Sequence, residues 1–218
     1  MRFAREGYSR IFGFGIASLG LNLLGFPTLG LVLLALTLFA AFFFRDPDRT
    51  ALADDRCVLA PADGRVVTVE ENLQNGSWLT TPATRVGIFM SPLDVHVNRV
   101  PVTGTVVSVQ YQPGKFRPAF AATAAEVNEQ NVVTIEDVQG RRLVLVQVAG
   151  ILARRIVCAV KGGDRVRRGD RYGMIMFGSR VDLYCPAEVR LRVQVGQRVK
   201  AGETVIRFED GGTNTIRR

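Results

Sequence analysis

From Ile11 to Phe44 the chain runs for 34 residues without one charged side chain. As a single straight helix at ~1.5 Å per residue this stretch would reach ~51 Å, against ~30 Å of bilayer hydrocarbon, so one straight span is a poor fit. Gly25-Phe26-Pro27 interrupts it near the middle, where proline removes a hydrogen-bond donor and glycine loosens the backbone. The expectation is two apolar helical pieces, about Ile11–Leu24 and Thr28–Phe44, arranged as a hairpin or as a kinked span. Arg2, Arg5 and Arg10 precede the run, and Arg45 and Arg49 follow it. Positive charge on both flanks suits a hairpin with both ends on the cytoplasmic side. A cleaved signal peptide fits worse, because the run is too long and no small-residue cleavage site follows Phe44. Residues 1–50 are therefore expected to form a hydrophobic helical segment at the cytoplasmic face of the cell membrane.

Residues 51–218 read differently. Short β-branched runs alternate with Gly and Pro: Arg65–Val69, Arg85–Met90, Gly104–Val109, Val132–Ile135, Leu143–Val148, Val189–Val195 and Thr204–Phe208. That pattern predicts a mainly β domain, a sandwich or barrel, with few short helices. Pro118–Asn128 is the one moderately helical stretch, and Ala153–Val160 fits either a strand or a short helix. Two repeats are visible. Gly163-x-x-Val166-x-x-Gly169-Asp170 returns as Gly196-x-x-Val199-x-x-Gly202-Glu203, and Pro61-x-x-Gly64-x-Val66 returns as Pro101-x-x-Gly104-x-Val106. Glycines at such spacing take tight turn positions while the valine plugs the core. Similar elements build lipoyl- and biotinyl-type barrel-sandwich folds, which is the architecture expected here.

Composition narrows the chemistry. The 218 residues carry 28 Lys+Arg against 20 Asp+Glu, a net charge of +8, which asks for an anionic partner. The basic residues form no dense helical stripe and are not interleaved with aromatics, so nucleic acid is not expected and the apolar N-terminus favours lipid. Cys57, Cys158 and Cys185 make an odd set with no CxxC, which argues against a disulfide framework and a structural zinc site. His96 is the single histidine, so a multi-histidine metal site is excluded and no metal is expected. No nucleotide-binding glycine loop and no hydrolase elbow appears.

One segment stands apart: Tyr172 to Tyr184, in which an apolar strand runs into Gly178-Ser179 and resumes as alternating Val181 and Leu183. Glycine leaves the carbonyl at 178 sterically open, and a serine hydroxyl can attack that carbonyl from a strained turn with a base nearby. Taken alone, a Gly-Ser pair of this kind is most often a turn or a bulge. Its own stretch Phe177-Gly178-Ser179-Arg180-Val181-Asp182 and two further pieces change its meaning: Ala60-Pro61-Ala62-Asp63-Gly64, and Met90-Ser91-Pro92-Leu93-Asp94-Val95-His96-Val97-Asn98-Arg99. With the Gly163–Gly169 repeat and the hydrophobic N-terminus, the chain resembles the short form of phosphatidylserine decarboxylase over about residues 10 to 208.

The resemblance implies a pyruvoyl enzyme made by self-cleavage between Gly178 and Ser179, giving a β chain of residues 1–178 and an α chain of residues 179–218. These would form a β/α heterodimer, with room for further dimerisation. The pyruvoyl group, formed from Ser179, would condense as a Schiff base with the serine amine of a phospholipid head group and release CO₂, leaving phosphatidylethanolamine. Asp63 occupies the position of the acidic member of the family's processing triad, and His96 is the expected proton-transfer residue. Long-form members carry two histidines three residues apart; here Asp94-x-His96-x-x-Arg99 keeps the first and places Arg99 at the second. Arginine stays protonated and is a poor base, so either His96 serves both processing and decarboxylation or the triad differs. Arg99, Lys115 and Arg117 are candidate phosphate or carboxylate contacts, with a solvated basic loop as the plain alternative. Rival readings are a decarboxylase of another serine-headed lipid, archaetidylserine-like for example, and a non-enzymatic membrane-anchored barrel-sandwich adaptor. A lipoyl or biotin carrier would need Lys161 or Lys200 on a hairpin with neighbours that are missing.

Overall fold

The computed structural model describes residues 2–51, 57–73, 82–119, 124–151, 156–176, 178–187 and 192–208. The chain opens with β1 (Arg2–Phe3), helices α1 (Tyr8–Leu23) and α2 (Pro27–Phe43), and β2 (Arg45–Asp46). There follow β3 (Cys57–Leu59), β4 (Gly64–Leu73), β5 (Ala83–Met90), β6 (Val97–Arg99), β7 (Gly104–Gln112), the one-turn α3 (Ala124–Val127), β8 (Gln130–Asp137) and β9 (Arg142–Val148). The last part holds β10 (Ile156–Cys158), β11 (Arg165–Val166), β12 (Arg171–Ile175), β13 (Ser179–Pro186), β14 (Arg198–Val199) and β15 (Val205–Phe208).

The apolar run folds as a hairpin and not as a kinked span. Gly25 takes φ +82° and Pro27 opens α2, where its missing N–H costs nothing. Ser18 Oγ donates to the Gly30 carbonyl at 2.7 Å, and β1 pairs antiparallel with β2, so both ends of the hairpin meet. α1 has 16 residues and α2 has 17, and no helix among the described residues is long and apolar enough to cross a membrane. The structure thus gives the hairpin alternative of the expectation and no spanning helix among the described residues, so the expected membrane segment is not supported as a span. Its outer faces are apolar, with Ile16, Leu23, Leu31 and Leu38 all more than 60% exposed.

The rest is mainly β with few helices, as the alternation predicted. Eight strands form one curled antiparallel sheet in the order β11-β7-β8-β9-β13-β5-β4-β14. A three-stranded sheet, β10-β12-β6, and the pair β15-β3 complete the domain. Val66, Val86, Ile88, Val133, Ile135, Leu145, Val181 and Leu183 meet in the main core. Five predicted strands lie inside β4, β5, β7, β8 and β9, and Thr204–Phe208 contains β15. Of Val189–Val195, residues 192–195 carry no strand and the remainder lies outside the described residues, as do 120–123 and 152–155. Within those last two readings the structure shows helix only at α3 and strand at β10.

The sequence repeats turn out to be one docking interaction used twice. Gly163, Gly169, Gly196 and Gly202 all take positive φ, between +73° and +91°. β11 pairs with β7 at Gly104, and β14 pairs with β4 at Gly64, so each glycine turn closes onto one Pro-x-x-Gly segment. The two proline segments also exchange bonds, Leu59 N–H to the Pro101 carbonyl (3.1 Å) and Arg99 N–H to the Pro61 carbonyl (2.9 Å). This internal two-fold arrangement fixes the loop carrying Asp63 beside the start of β4.

Candidate active site

The chain changes sheets at the singled-out segment. β12 belongs to the small sheet and β13 to the large one, and the link between them ends at Gly178 with φ +58°. Such a φ disfavours any residue with a β-carbon. A β-carbon placed on Gly178 would meet nothing within 4 Å, so glycine is required there for torsion and not for room. Ser179 is the first residue of β13 and pairs with Met90, the last residue of β5. It is fully buried, and its Oγ has no hydrogen-bond partner among the described residues. A buried hydroxyl without a partner is costly and marks a position where function overrides stability.

On the neighbouring strand, the turn after β5 builds the histidine. Ser91 donates to Asp94 Oδ2 through its N–H at 2.8 Å and its Oγ at 2.6 Å, closing residues 91–94 into a tight cap. Arg45 Nη2 adds a bond to the Leu93 carbonyl at 2.6 Å. His96 then lies fully buried with Nδ1 3.0 Å from the Asp94 carbonyl oxygen. A carbonyl only accepts, so Nδ1 carries the proton and Nε2 is the bare acceptor. That Nε2 is buried and unpaired, like Ser179 Oγ. The Phe43 ring packs on the imidazole at a centroid distance of 4.3 Å. Burial pushes the His96 pKa down to about 4, with Arg45 adding to the effect and Asp94 opposing it. At neutral pH the ring is therefore a neutral base with a free lone pair.

Asp63 sits at the start of β4, adjacent to β5. Arg49 Nη2 donates to its Oδ2 at 2.7 Å and the Ala201 N–H to its Oδ1 at 2.7 Å. Burial raises its pKa in spite of these two donors. Neither oxygen bonds His96, whose Nδ1 partner is a backbone carbonyl, so the described geometry does not link Asp63 and His96 in a hydrogen-bonded pair. What joins them is charge: Asp63, Asp94 and Arg49 all act on Arg45, which in turn acts on His96. Adjacent strands β4, β5 and β13 thus bring Asp63, the His96 turn and Ser179 to the same end of the sheet.

A family model described as phosphatidylserine decarboxylase matches residues 36–207, from within α2 to β15. This chain belongs to that family. A phosphatidylserine decarboxylase proenzyme of Syntrophotalea carbinolica is 48% identical over 205 residues, covering 94% of this chain and 95% of its own length. The proenzyme of Syntrophus aciditrophicus is 41% identical over 202 residues, 92% of this chain and 94% of its own. That of Chlorobium limicola reaches 50% over 168 residues, 77% of this chain and 78% of its own. Membership of a decarboxylase family displaces the adaptor and carrier readings.

The remaining decarboxylase-family positions separate clearly. Arg99 Nη1 donates to the Gly169 carbonyl at 2.9 Å, and Nη2 reaches Asp46 Oδ1 at 2.6 Å and the Pro47 carbonyl at 3.0 Å. Its guanidinium therefore braces the hairpin exit against a repeat turn. Lys115 and Arg117 are exposed, on a segment held by Asn128, whose Oδ1 accepts the Arg117 N–H and whose Nδ2 donates to the Arg117 carbonyl. Sequence reading missed the Arg180–Asp182 ion pair, with Arg85 on the second Asp182 oxygen and Thr68 on Arg180, all beneath β13. Two charges spaced i, i+2 on a strand share a face, and that spacing was the available signal.

Proposed function

We propose that this chain is a proenzyme that cleaves itself between Gly178 and Ser179 and then decarboxylates phosphatidylserine to phosphatidylethanolamine and CO₂. The observation that carries the reading is the buried, unpaired Ser179 Oγ beside a glycine of left-handed conformation, in a chain of the phosphatidylserine decarboxylase family. Oγ attacks the Gly178 carbonyl carbon, an ester C–O bond replaces the peptide C–N bond, and the hydroxyl proton passes by way of His96 Nε2 to the new amine at residue 179. Loss of the α-proton of residue 179 expels the Gly178 carboxylate and leaves dehydroalanine. Addition of water and loss of ammonia give the pyruvoyl end.

The residues present fit that group, because none of the described residues approaches the open side of Gly178 and the serine is withheld from competing hydrogen bonds. The pyruvoyl carbonyl supplies the electron sink for departure of the substrate carboxylate. His96, neutral and shielded by Phe43, holds and returns the proton at the substrate Cα. Asp63, fixed by Arg49 and Ala201, sets the charge around Arg45 and the His96 turn. Lys115 and Arg117 are the exposed cations for the phosphodiester, whereas the Arg99 donors are engaged within the chain. The two fragments remain together as a heterodimer, since β13 pairs with both β5 and β9 of the upstream part. The apolar hairpin seats the enzyme on the cytoplasmic face of the membrane where its lipid substrate lies.

The deciding experiment is the intact mass of the purified chain beside a Ser179→Ala control. Two fragments split at 178/179 are expected, the smaller lighter by one ammonia than a serine-started peptide, with CO₂ release from phosphatidylserine vesicles. An uncut wild-type chain overturns the reading.

A further inference from the structure

We infer that Gly150 is a positioning residue for the self-cleavage proposed above, seating the carbonyl that Ser179 attacks. The register carries the argument. β9 and β13 pair antiparallel with Val148 opposite Arg180, which carries Gly150 past the end of the ladder to a place opposite Gly178. There the two backbones come closer than two ordinary residues could. A β-carbon on Gly150 would overlap the Gly178 carbonyl oxygen, and would stand 2.9 Å from the carbonyl carbon and 3.3 Å from the Ala119 β-carbon. The Gly178 oxygen thus occupies the space a side chain at 150 would take.

Gly150 and Gly178 are glycines for opposite reasons. Gly178 has a positive φ and open space, whereas Gly150 is absent from the positive-φ residues. Residues other than glycine can adopt the backbone of Gly150, so what the position excludes is the extra atom. The peptide is also tethered: Asn128 Nδ2 donates to the Ala149 carbonyl at 2.7 Å, and the Ala149 N–H donates to the Glu129 carbonyl at 3.0 Å. Asn128 is itself buried. The strand end 149–150 is therefore a fixed wall against which the scissile oxygen sits. Misplacing a reacting atom by ~1 Å costs about 100-fold in rate.

The test is Gly150→Ala in the full chain, following fragment appearance by intact mass. The expected result is cleavage slowed about 100-fold, with Gly150→Ala/Ser179→Ala melting within a few degrees of the uncut Ser179→Ala chain. Hydroxylamine adds a readout that a general loss of packing would not produce, since it cuts an accumulated ester but not the peptide. Gly150→Ala blocked before the acyl shift gives no hydroxylamine cleavage at 178/179. Cleavage at the wild-type rate overturns the inference. So does rapid hydroxylamine cleavage, which would place the block at elimination. If Gly150→Ala does not fold, Asn128→Ala decides: it removes the Ala149 tether together with two bonds to the Arg117 backbone. Cleavage slowed about tenfold or more, with Asn128→Ala/Ser179→Ala melting within a few degrees of Ser179→Ala, supports the inference, whereas an unchanged rate overturns it. An uncut wild-type chain, by contrast, sinks the proposed function itself.

Discussion

At the scale of single residues, the site is built from groups denied their ordinary partners. Ser179 Oγ and His96 Nε2 are both buried and unpaired, and each would be more stable in water or in a hydrogen bond. The histidine makes the cost measurable. Its pKa of about 4 lies below the unfolded value of 6.5, so between those limits the unfolded chain binds a proton that the folded chain refuses. Stability is therefore full above pH 6.5 and falls as the pH drops to 4, by about 3 kcal/mol in total. Thermal melts of Ser179→Ala across that range, with and without His96→Gln, are expected to show the loss only where His96 is present. The same pKa sets the cleavage profile. If His96 Nε2 is the base, processing stays constant through pH 6.5 and falls only near pH 4; an inflection at 6.5 would assign the proton to an unburied group. Gly178→Ala belongs to this scale too. Forcing a β-carbon into φ +58° costs roughly 1–2 kcal/mol of strain, which the chain relieves by rotating the scissile carbonyl. The mass assay should show an intact, folded and uncut chain.

At the scale of elements, a short clamp joins the helical hairpin to the β domain, and Arg99 is its centre. Glu6 meets Arg171 and Arg45 holds the Leu93 carbonyl, while Arg99 ties Asp46 to the Gly169 turn. Removing a half-buried arginine with three acceptors leaves Asp46 without its partner and costs about 1–3 kcal/mol. Arg99→Ala is therefore expected to melt lower and still cleave at 178/179. Loss of cleavage without loss of stability would return Arg99 to the reaction, at the place where long-form relatives hold a second histidine. Much at this scale was legible beforehand: alternation located the strands, and the Gly-x-x-Val-x-x-Gly repeat located the turns, because both are local patterns. The role of Arg99 was not legible, since its acceptors lie some 50 and 70 residues away in sequence. Gly150 was hidden for the same reason. Nothing near it in sequence mentions Gly178, and only the pairing of Val148 with Arg180 sets the two side by side. Asp63 and His96 were named from a resemblance, but the carbonyl partner that fixes the histidine tautomer came from the fold of the 91–96 turn.

At the scale of the whole molecule, a basic chain of net charge +8 carries a hairpin whose outer faces are apolar, and on the membrane seating proposed above two forces would compete to hold it on lipid. Each basic residue near an anionic surface is worth about 1 kcal/mol and is screened by salt. Each large apolar side chain moved out of water is worth about 1.5–3 kcal/mol and is not. Phe12, Ile16, Leu19, Leu23, Leu31 and Leu38 are all more than 60% exposed, so burying even half of them outweighs several charges. The helices are too short to cross, and the pairing of β1 with β2 keeps both ends of the hairpin on one side, so the geometry suits shallow insertion parallel to the surface. Sedimentation with vesicles of mixed neutral and anionic lipid tests this. The wild-type chain should pellet at low salt and stay bound in 1 M salt, where the Debye length falls to about 3 Å. Ile16→Asp with Leu38→Asp should remain in the supernatant at high salt, yet still split at 178/179, because both side chains are exposed and neither is in the cluster that packs Phe43 over the His96 turn. Decarboxylation of vesicle phosphatidylserine by that double variant should drop with binding. Release of the wild type by salt alone would instead make charge the anchor and leave the apolar faces to another occupant.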